Sequence, residues 1–232
     1  MTTDAAHRMT RLADSIGLLT PVDLSHPLQE GMTVWPGHPR FEHELVECYS
    51  RGDLSRHHRV ALGEHTGTHL DAPVHFVPGG AGIADTPPGV FTGRAATLRA
   101  PAGTAAVAPA ALTAFEAAHG PVGPGDRVLV DTGWSARWNT PGYLEPWPYV
   151  TAELAAELLD RGVALVAVDT PSPDPYGSEA CPAHRLLLGA GVLIGENFAR
   201  LGELAPWTLL TTAPLPVRGG SGSPVRAVAY RP

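Results

Sequence analysis

The segment that most constrains this chain carries four potential metal ligands at alternate positions within eleven residues: His65, His69, Asp71 and His75. Side chains two residues apart share a face of an extended chain, so all four would point the same way in a strand. A helix would turn Asp71 away from the histidines, and Gly67 and Pro73 both oppose helix formation. The pattern therefore predicts an extended segment with one polar face.

The spacing of these residues sets a geometric condition for metal binding. Four residues of strand cover about 13 Å, whereas a histidine nitrogen binds a metal ion at about 2 Å. One ion can therefore meet both His65 and His69 only if the chain curls, and Gly67 is the residue that permits a bend. By chain distance His75 lies outside this set, which leaves it free for proton transfer.

Two imidazoles and one carboxylate on one face suit Zn²⁺ or Mn²⁺, and an open coordination position would activate water. For any two of the histidines, an ordinary place on the protein surface is the better explanation. Three histidines and an aspartate, framed by glycine and proline, favour a metal site.

Composition limits the classes of function. The chain has 232 residues, 44% of them hydrophobic, which suits one large domain with a full core. Its formal charge of -7 argues against nucleic acid as a partner, and no apolar run is long enough to cross a membrane. Without a secretory leader and with only two cysteines, the sequence predicts a cytoplasmic protein that acts on a small molecule.

The hydrophobic pattern predicts an α/β protein, with a helix over 5–19 and a domain that begins at about residue 21. We therefore divide the chain into an N-terminal helical extension (1–20) and a single domain (21–232). Only one strand–helix–strand unit is evident, so the prediction is a mixed, barrel-like β core flanked by helices. The further predicted helices cover 109–119, 151–159 and 181–188. The predicted strands cover 22–26, 41–49, 56–62, 95–99, 127–131, 164–168, 192–194, 207–212 and 225–230.

Four motifs together resemble the cyclase superfamily, which includes bacterial kynurenine formamidases and isatin hydrolases. The most specific is His-Thr-Gly-Thr-His-Leu-Asp-Ala-Pro-Val-His-Phe, at 65–76. The others are Val-Trp-Pro-Gly at 34–37, Val-Asp-Thr-Pro-Ser at 168–172 and Ser-Gly-Ser-Pro-Val-Arg-Ala at 221–227. The resemblance extends over most of the chain and implies a swivelling β/β/α fold.

The resemblance also implies site roles. His65, His69 and Asp71 match the ligands of a first metal, His75 the catalytic histidine and Trp35 a substrate-contacting residue. A further histidine and glutamate, twelve residues apart, complete a two-metal site in formamidase-type members, and the pair with that spacing here is His184 and Glu196. On the residues alone, His184 would be a surface histidine on a helix and Glu196 a solvated loop residue. Relatives are commonly homo-oligomers, either dimers or tetramers.

The substrate is less constrained by the sequence. Aromatic residues are dense between 134 and 147, and they suit either a pocket for an aromatic amide or ordinary core and subunit contacts. The leading prediction is hydrolysis of an aromatic amide such as N-formylkynurenine, in tryptophan catabolism, with one or two Zn²⁺ or Mn²⁺ ions. The alternatives are a hydrolase of a cyclic amide such as isatin, a polyketide-type cyclase or dehydratase, and a metal-binding protein without turnover.

Overall fold

A nine-stranded mixed sheet forms the centre of the protein. The structure is a computed structural model that describes residues 2–232, with side chains from residue 4 onward. The strands are β1 (Thr20–Asp23), β2 (Glu42–Glu47), β3 (His57–Ala61), β4 (His69–Asp71), β5 (Thr92–Arg99), β6 (Ala106–Val107), β7 (Arg127–Asp131), β8 (Tyr149–Val150), β9 (Leu165–Val168), β10 (Leu193–Glu196), β11 (Trp207–Thr211), β12 (Gly222–Pro224) and β13 (Val228–Arg231). The helices are α1 (Thr2–Gly17), α2 (Pro109–His119), α3 (Ala152–Asp160) and α4 (Pro182–Gly189).

The order of strands in the sheet is β1-β13-β11-β5-β7-β9-β10-β4-β12. Its middle is parallel, because β5 pairs with β7, β7 with β9, and β9 with β10 in the same direction. Helices α2, α3 and α4 each connect two of these strands, so the fold has three strand–helix–strand units and the expectation of one was too low. Parallel neighbours need a crossover connection, and each of these helices provides one. Which strands become neighbours is decided by tertiary pairing, which local sequence does not record.

The sheet curls so that its two ends approach each other. Beyond β1, the amide of Leu24 donates to the carbonyl of Ala227 at 2.8 Å, and the amide of Val225 donates to Thr68 at 3.0 Å. The strand predicted over 225–230 is confirmed from residue 228 onward as β13, whereas 225–227 crosses from the end strand β12 to β13 near the other end. That crossing helps to close the curl. The mixed, barrel-like β core is confirmed.

The two faces of the sheet bury separate hydrophobic clusters. Adjacent residues on β9 show the division, since Val166 packs under the helices with Leu154 and Leu187, while Leu165 packs inside the curl with Phe198. Successive side chains of a strand point to opposite faces, so a continuous apolar strand can serve both clusters. The parallel strands are therefore held by hydrophobic contacts on both faces of the sheet.

Helix α1 lies outside this core. Its side chains from residue 4 to residue 15 are all exposed, and it confirms the N-terminal helix at slightly shifted bounds. The division of the chain at residue 20 stays a prediction. Among the helices described in residues 2–232, none is long and apolar enough to span a lipid bilayer.

Acidic side chains collect at the carboxyl end of the parallel strands, where α/β sheets usually bind ligands. Glu196 ends β10, and Asp169 directly follows β9. Asp169 is fully buried and accepts hydrogen bonds from the amide of Thr132 at 3.1 Å and from its hydroxyl at 2.6 Å. Burial raises the pKa of Asp169 to about 6.

This raised pKa predicts a pH-dependent loss of stability. Native Asp169 keeps its proton up to a higher pH than unfolded Asp169, so its contribution to the free energy of unfolding falls as the pH rises from about 4 to about 6. The shift from 3.8 to about 6 corresponds to about 3 kcal/mol. Urea unfolding of wild type and Asp169→Asn across this range should show wild type losing stability relative to the variant by up to that amount. Parallel profiles would contradict this.

Candidate metal centre and active site

The histidine-rich segment is extended only in its middle. His69–Asp71 forms β4, and Gly67 ahead of it has a φ of 65°, where the predicted bend occurs. After β4 the chain enters a 3₁₀ turn at Pro73–His75. That turn brings the His75 ring to 4.0 Å from the His65 ring, stacked on it. The turn thus brings His75 beside the other groups, and its role in proton transfer stays a prediction.

Strand pairing and a helix bring the remaining residues to the same place. β4 and β10 are antiparallel and place Glu196 directly opposite His69. Opposed residues share a sheet face, as do residues two apart, so Glu196, His69 and Asp71 face one side. His184, in the first turn of α4, reaches the same point and is buried, with 5% of its surface exposed. The structure thus unites both halves of the predicted ligand set.

Four distances describe the centre of this cluster. His69 Nε2 lies 3.3 Å from Asp71 Oδ1 and 3.4 Å from Glu196 Oε2. His184 Nε2 lies 3.4 Å from Asp71 Oδ2 and 3.3 Å from Glu196 Oε1. Each carboxylate thus offers one oxygen to each imidazole. Two ligand atoms bound about 2.1 Å from one tetrahedral ion are about 3.4 Å apart, so the spacing suits metal coordination.

The orientation of both imidazoles also fits a divalent metal. His69 Nδ1 lies 2.8 Å from the carbonyl oxygen of Gly67, and His184 Nδ1 lies 2.6 Å from Asp174 Oδ2. These acceptors hold the proton on Nδ1 and leave the Nε2 lone pair facing inward, as in most histidine–metal sites. His69 Nε2 and Asp71 Oδ2 are buried without a hydrogen-bond partner. Unpaired buried polar atoms of this kind are rare and indicate a missing ligand.

His65 occupies a different position from the other predicted ligands. Its Nδ1 lies 2.6 Å from Asp71 Oδ1, and its Nε2 lies 2.9 Å from the hydroxyl of Ser221. That hydroxyl donates to Glu64 Oε2 at 2.7 Å. The distance to Asp71 is that of a hydrogen bond and is shorter than the spacing of two ligands on one ion. In this structure His65 is a partner of the carboxylate.

In this buried cluster each charged group stabilises the ionised form of its oppositely charged neighbours. With no ion bound, burial opposes a charge on His69, but Asp71 and Glu196 outweigh it and raise the pKa of His69 to about 10, so a metal ion would replace the proton on Nε2. Burial likewise opposes ionisation of Asp71, yet the imidazoles around it, His184 first, hold its pKa well below the usual value. His75 has no such partner, and burial lowers its pKa to about 4. His75 is therefore neutral near pH 7.

A cavity of about 290 Å³ opens above the cluster. The aromatic segment predicted as either pocket or core forms its wall, since Trp138, Tyr143 and Trp147 all line it. Trp134 lies behind this wall and donates its indole N–H to the carbonyl of Tyr143 at 3.0 Å. Trp35 also lines the cavity, and its ring meets the Trp147 ring edge-on at 5.7 Å.

Several residues of this site carried no predicted role. Asp174 orients His184, and it also receives the amides of Ala183 and His184 at the start of α4. It lies ten residues before its partner in an irregular loop, so no periodic pattern marks it. The sequence marks two others, because Ser221 begins the motif at 221–227 and Asn197 follows Glu196 directly.

Comparison with known proteins agrees with this geometry. The family model Cyclase, described as "Putative cyclase", matches residues 22–175. A kynurenine formamidase of Geobacillus thermodenitrificans (strain NG80-2) is 32% identical over 89% of this chain and 95% of that protein. A kynurenine formamidase of Polaromonas naphthalenivorans (strain CJ2) is 31% identical over 98% of each chain. Among solved structures, isatin hydrolase A from Labrenzia aggregata has a TM-score of 0.85 at 28% identity and covers 98% of this chain and 99% of that one.

The bend at Gly67 yields a prediction about metal affinity. A Cβ at this position would lie 2.9 Å from Leu28 Cδ2 and 3.1 Å from Met32 Cε, which are ends of flexible side chains and can move, but alanine adopts the φ of 65° only with strain. We expect Gly67→Ala to displace His69 and to weaken binding of Zn²⁺ or Mn²⁺ at least about tenfold, measured by competition with a chromophoric chelator. Gly103→Ala is the control, since its φ is 79° and its Cβ would meet nothing within 4 Å. Equal affinities of the two variants would contradict the prediction.

Proposed function

This chain belongs to the Cyclase family, and we propose that it hydrolyses the amide bond of a small aromatic amide with the help of a divalent metal. One observation carries the proposal: two imidazoles and two carboxylates, spaced 3.3–3.4 Å apart, lie at the base of a cavity with aromatic walls. A divalent ion held by these four side chains would promote hydrolysis, and the aromatic walls of the cavity suit a flat aromatic group.

We assign the metal to His69, Asp71, His184 and Glu196, with His65 as a fifth ligand from the family pattern. Both carboxylates present separate oxygens to the two imidazoles, and this ligand set would hold one ion or two. Imidazole and carboxylate ligands are compatible with Zn²⁺ and with Mn²⁺. When bound, such an ion polarises the substrate carbonyl and makes water a stronger acid.

His75 is the proposed proton carrier. Its ring lines the cavity and is stacked on His65 beside the cluster, and burial keeps its pKa near 4. A neutral imidazole can accept a proton from the attacking water and pass it to the amine that leaves. General acid–base catalysis of this kind contributes about 10²–10⁴-fold to a reaction rate.

Trp35 is the proposed substrate contact. It is 41% exposed although it lies against Trp147, so it covers the cavity and still meets solvent at the entrance. N-formylkynurenine is the first substrate to test, because the two formamidases align over most of this chain. A cyclic amide such as isatin is the second, supported by the shared fold and 28% identity with isatin hydrolase A.

We also propose that the protein is a cytoplasmic homo-oligomer, a dimer or tetramer, with a role in tryptophan catabolism if N-formylkynurenine is its substrate. The family pattern supports an oligomer. Both cysteines, Cys48 and Cys181, are free thiols, which suits a reducing compartment.

Removal of the metal provides the direct test of function. We expect protein loaded with Zn²⁺ or Mn²⁺ to release formate from N-formylkynurenine or to open isatin, and protein treated with a chelator to lose that activity. Activity should return when either ion is added back, which shows that the chelator did not unfold the protein. If loaded protein turns over neither substrate, the amide hydrolase proposal is wrong.

The role of His75 is tested by its removal. We expect His75→Ala to lower kcat by about 10²–10⁴-fold while metal affinity stays within a fewfold of wild type, because the side chain carries protons and binds no ion. His57→Ala, at an exposed position of β3, is a matched control that should leave kcat unchanged. An active His75→Ala protein would exclude His75 as the proton carrier.

A further inference from the structure

Asn197 lies beside the proposed metal ligands, and the proposed function assigns it no role. It follows Glu196 directly, is 8% exposed and lines the cavity. Its backbone is in the left-handed region with a φ of 57°, which asparagine tolerates better than most residues. This turn carries the chain from the end of β10 across the base of the cavity.

The Asn197 backbone is fixed on both sides. Its amide donates to the carbonyl of Thr170 at 3.0 Å, and its carbonyl accepts the hydroxyl of Thr68 at 2.6 Å. These bonds connect the turn to the loop after β9 and to the segment ahead of β4. The carboxamide therefore projects from a rigid base, between the bend at Gly67 and the aromatic wall.

The carboxamide of Asn197 links the bend at Gly67 to the aromatic wall of the cavity. Its Nδ2 donates to the carbonyl of Gly67 at 3.0 Å, and its Oδ1 accepts the hydroxyl of Tyr143 at 2.7 Å. A carbonyl can only accept, so the amide orientation is fixed. Burial raises the pKa of Tyr143 further above its normal value, which keeps the hydroxyl protonated as the donor.

The same Gly67 carbonyl accepts the His69 Nδ1 proton at 2.8 Å. One acceptor thus receives both His69 and Asn197, and its position determines where the His69 ring points. Because glycine has a freer backbone than other residues, the hydrogen bonds that the Gly67 carbonyl accepts help to hold it in place. A continuous chain of hydrogen bonds runs from Tyr143 through Asn197 and Gly67 to His69.

We propose that Asn197 is a positioning residue that couples the aromatic wall to the metal ligand His69. This inference rests on the proposed function, in which His69 binds the metal and the aromatic wall that includes Tyr143 receives the flat group of the substrate. Asn197 holds the Gly67 carbonyl where it keeps the Nε2 lone pair of His69 aimed at the ion. Through Tyr143, the same carboxamide sets the wall at a fixed distance from the metal.

Asn197→Gly tests the inference without adding backbone strain, because glycine adopts a φ of 57° freely. We expect the variant to bind Zn²⁺ or Mn²⁺ about 10–100-fold more weakly than wild type, measured by competition with a chromophoric chelator. Asn139→Gly is the matched control, since Asn139 also has a left-handed backbone, with a φ of 59°, and lies outside the chain of hydrogen bonds. Its metal affinity should equal that of wild type.

Tyr143→Phe removes only the hydroxyl and provides a second variant that keeps the fold. We expect its metal affinity to fall about threefold to tenfold and its KM for the aromatic amide to rise, while kcat changes less, because the wall is no longer held to the ligand. Wild-type metal affinity in both Asn197→Gly and Tyr143→Phe would overturn the inference. Failure of the wild-type protein to bind either ion would instead overturn the proposed function, so the two failures are distinguishable.

Discussion

Two buried carboxylates, Asp71 and Glu196, face each other at the end of the parallel strands, and the rest of the site depends on how their charge is balanced. Each is at least nine-tenths buried. A buried carboxylate without positive charge nearby loses several kcal/mol of hydration, and two like charges in one place also repel each other. The surrounding structure must therefore supply cations or protons to this point.

The imidazoles of His69 and His184 provide that balance, and the Nδ1 atom of each makes a hydrogen bond to a group outside the cluster. Asp174 holds His184, while the Gly67 carbonyl holds His69. Asp174 is in turn fixed by its carbonyl, which accepts the indole N–H of Trp147 at 2.8 Å. A wall residue of the cavity thus contacts the group that orients His184, a proposed metal ligand. Hydrogen bonds thus connect the proposed metal ligands to the aromatic wall of the cavity.

The curl of the sheet explains how distant segments meet here. β4 pairs with β10 on one side and with β12 on the other, so the histidine-rich strand lies between the two. β12 approaches so closely that a Cβ at Gly222 would lie 2.7 Å from the His65 ring. Only glycine allows His65 to lie over Asp71 at this position. A flat sheet would have left β4 near an edge, open to solvent.

The sequence by itself indicated a candidate metal site and determined the α/β class and most helices and strands. The reasons are local: alternation gives the face of a short strand, Gly67 gives its bend, and a Thr151 hydroxyl that accepts the amide of Leu154 starts α3. The motif at 65–76 was long enough to indicate a family. His184 and Glu196 followed only from that resemblance, since their local patterns suggested surface positions.

Only the tertiary structure decided which groups lie within reach of each other. It placed Glu196 opposite His69 through antiparallel register, and it brought His75 back onto His65 by a turn. It also showed that Asp174 holds the His184 imidazole across ten residues of chain, and that Ser221 and Asn197 hold His65 and the bend at Gly67 from far along the chain. Strand pairing and burial arise from contacts between distant residues, so a local pattern cannot encode these distances.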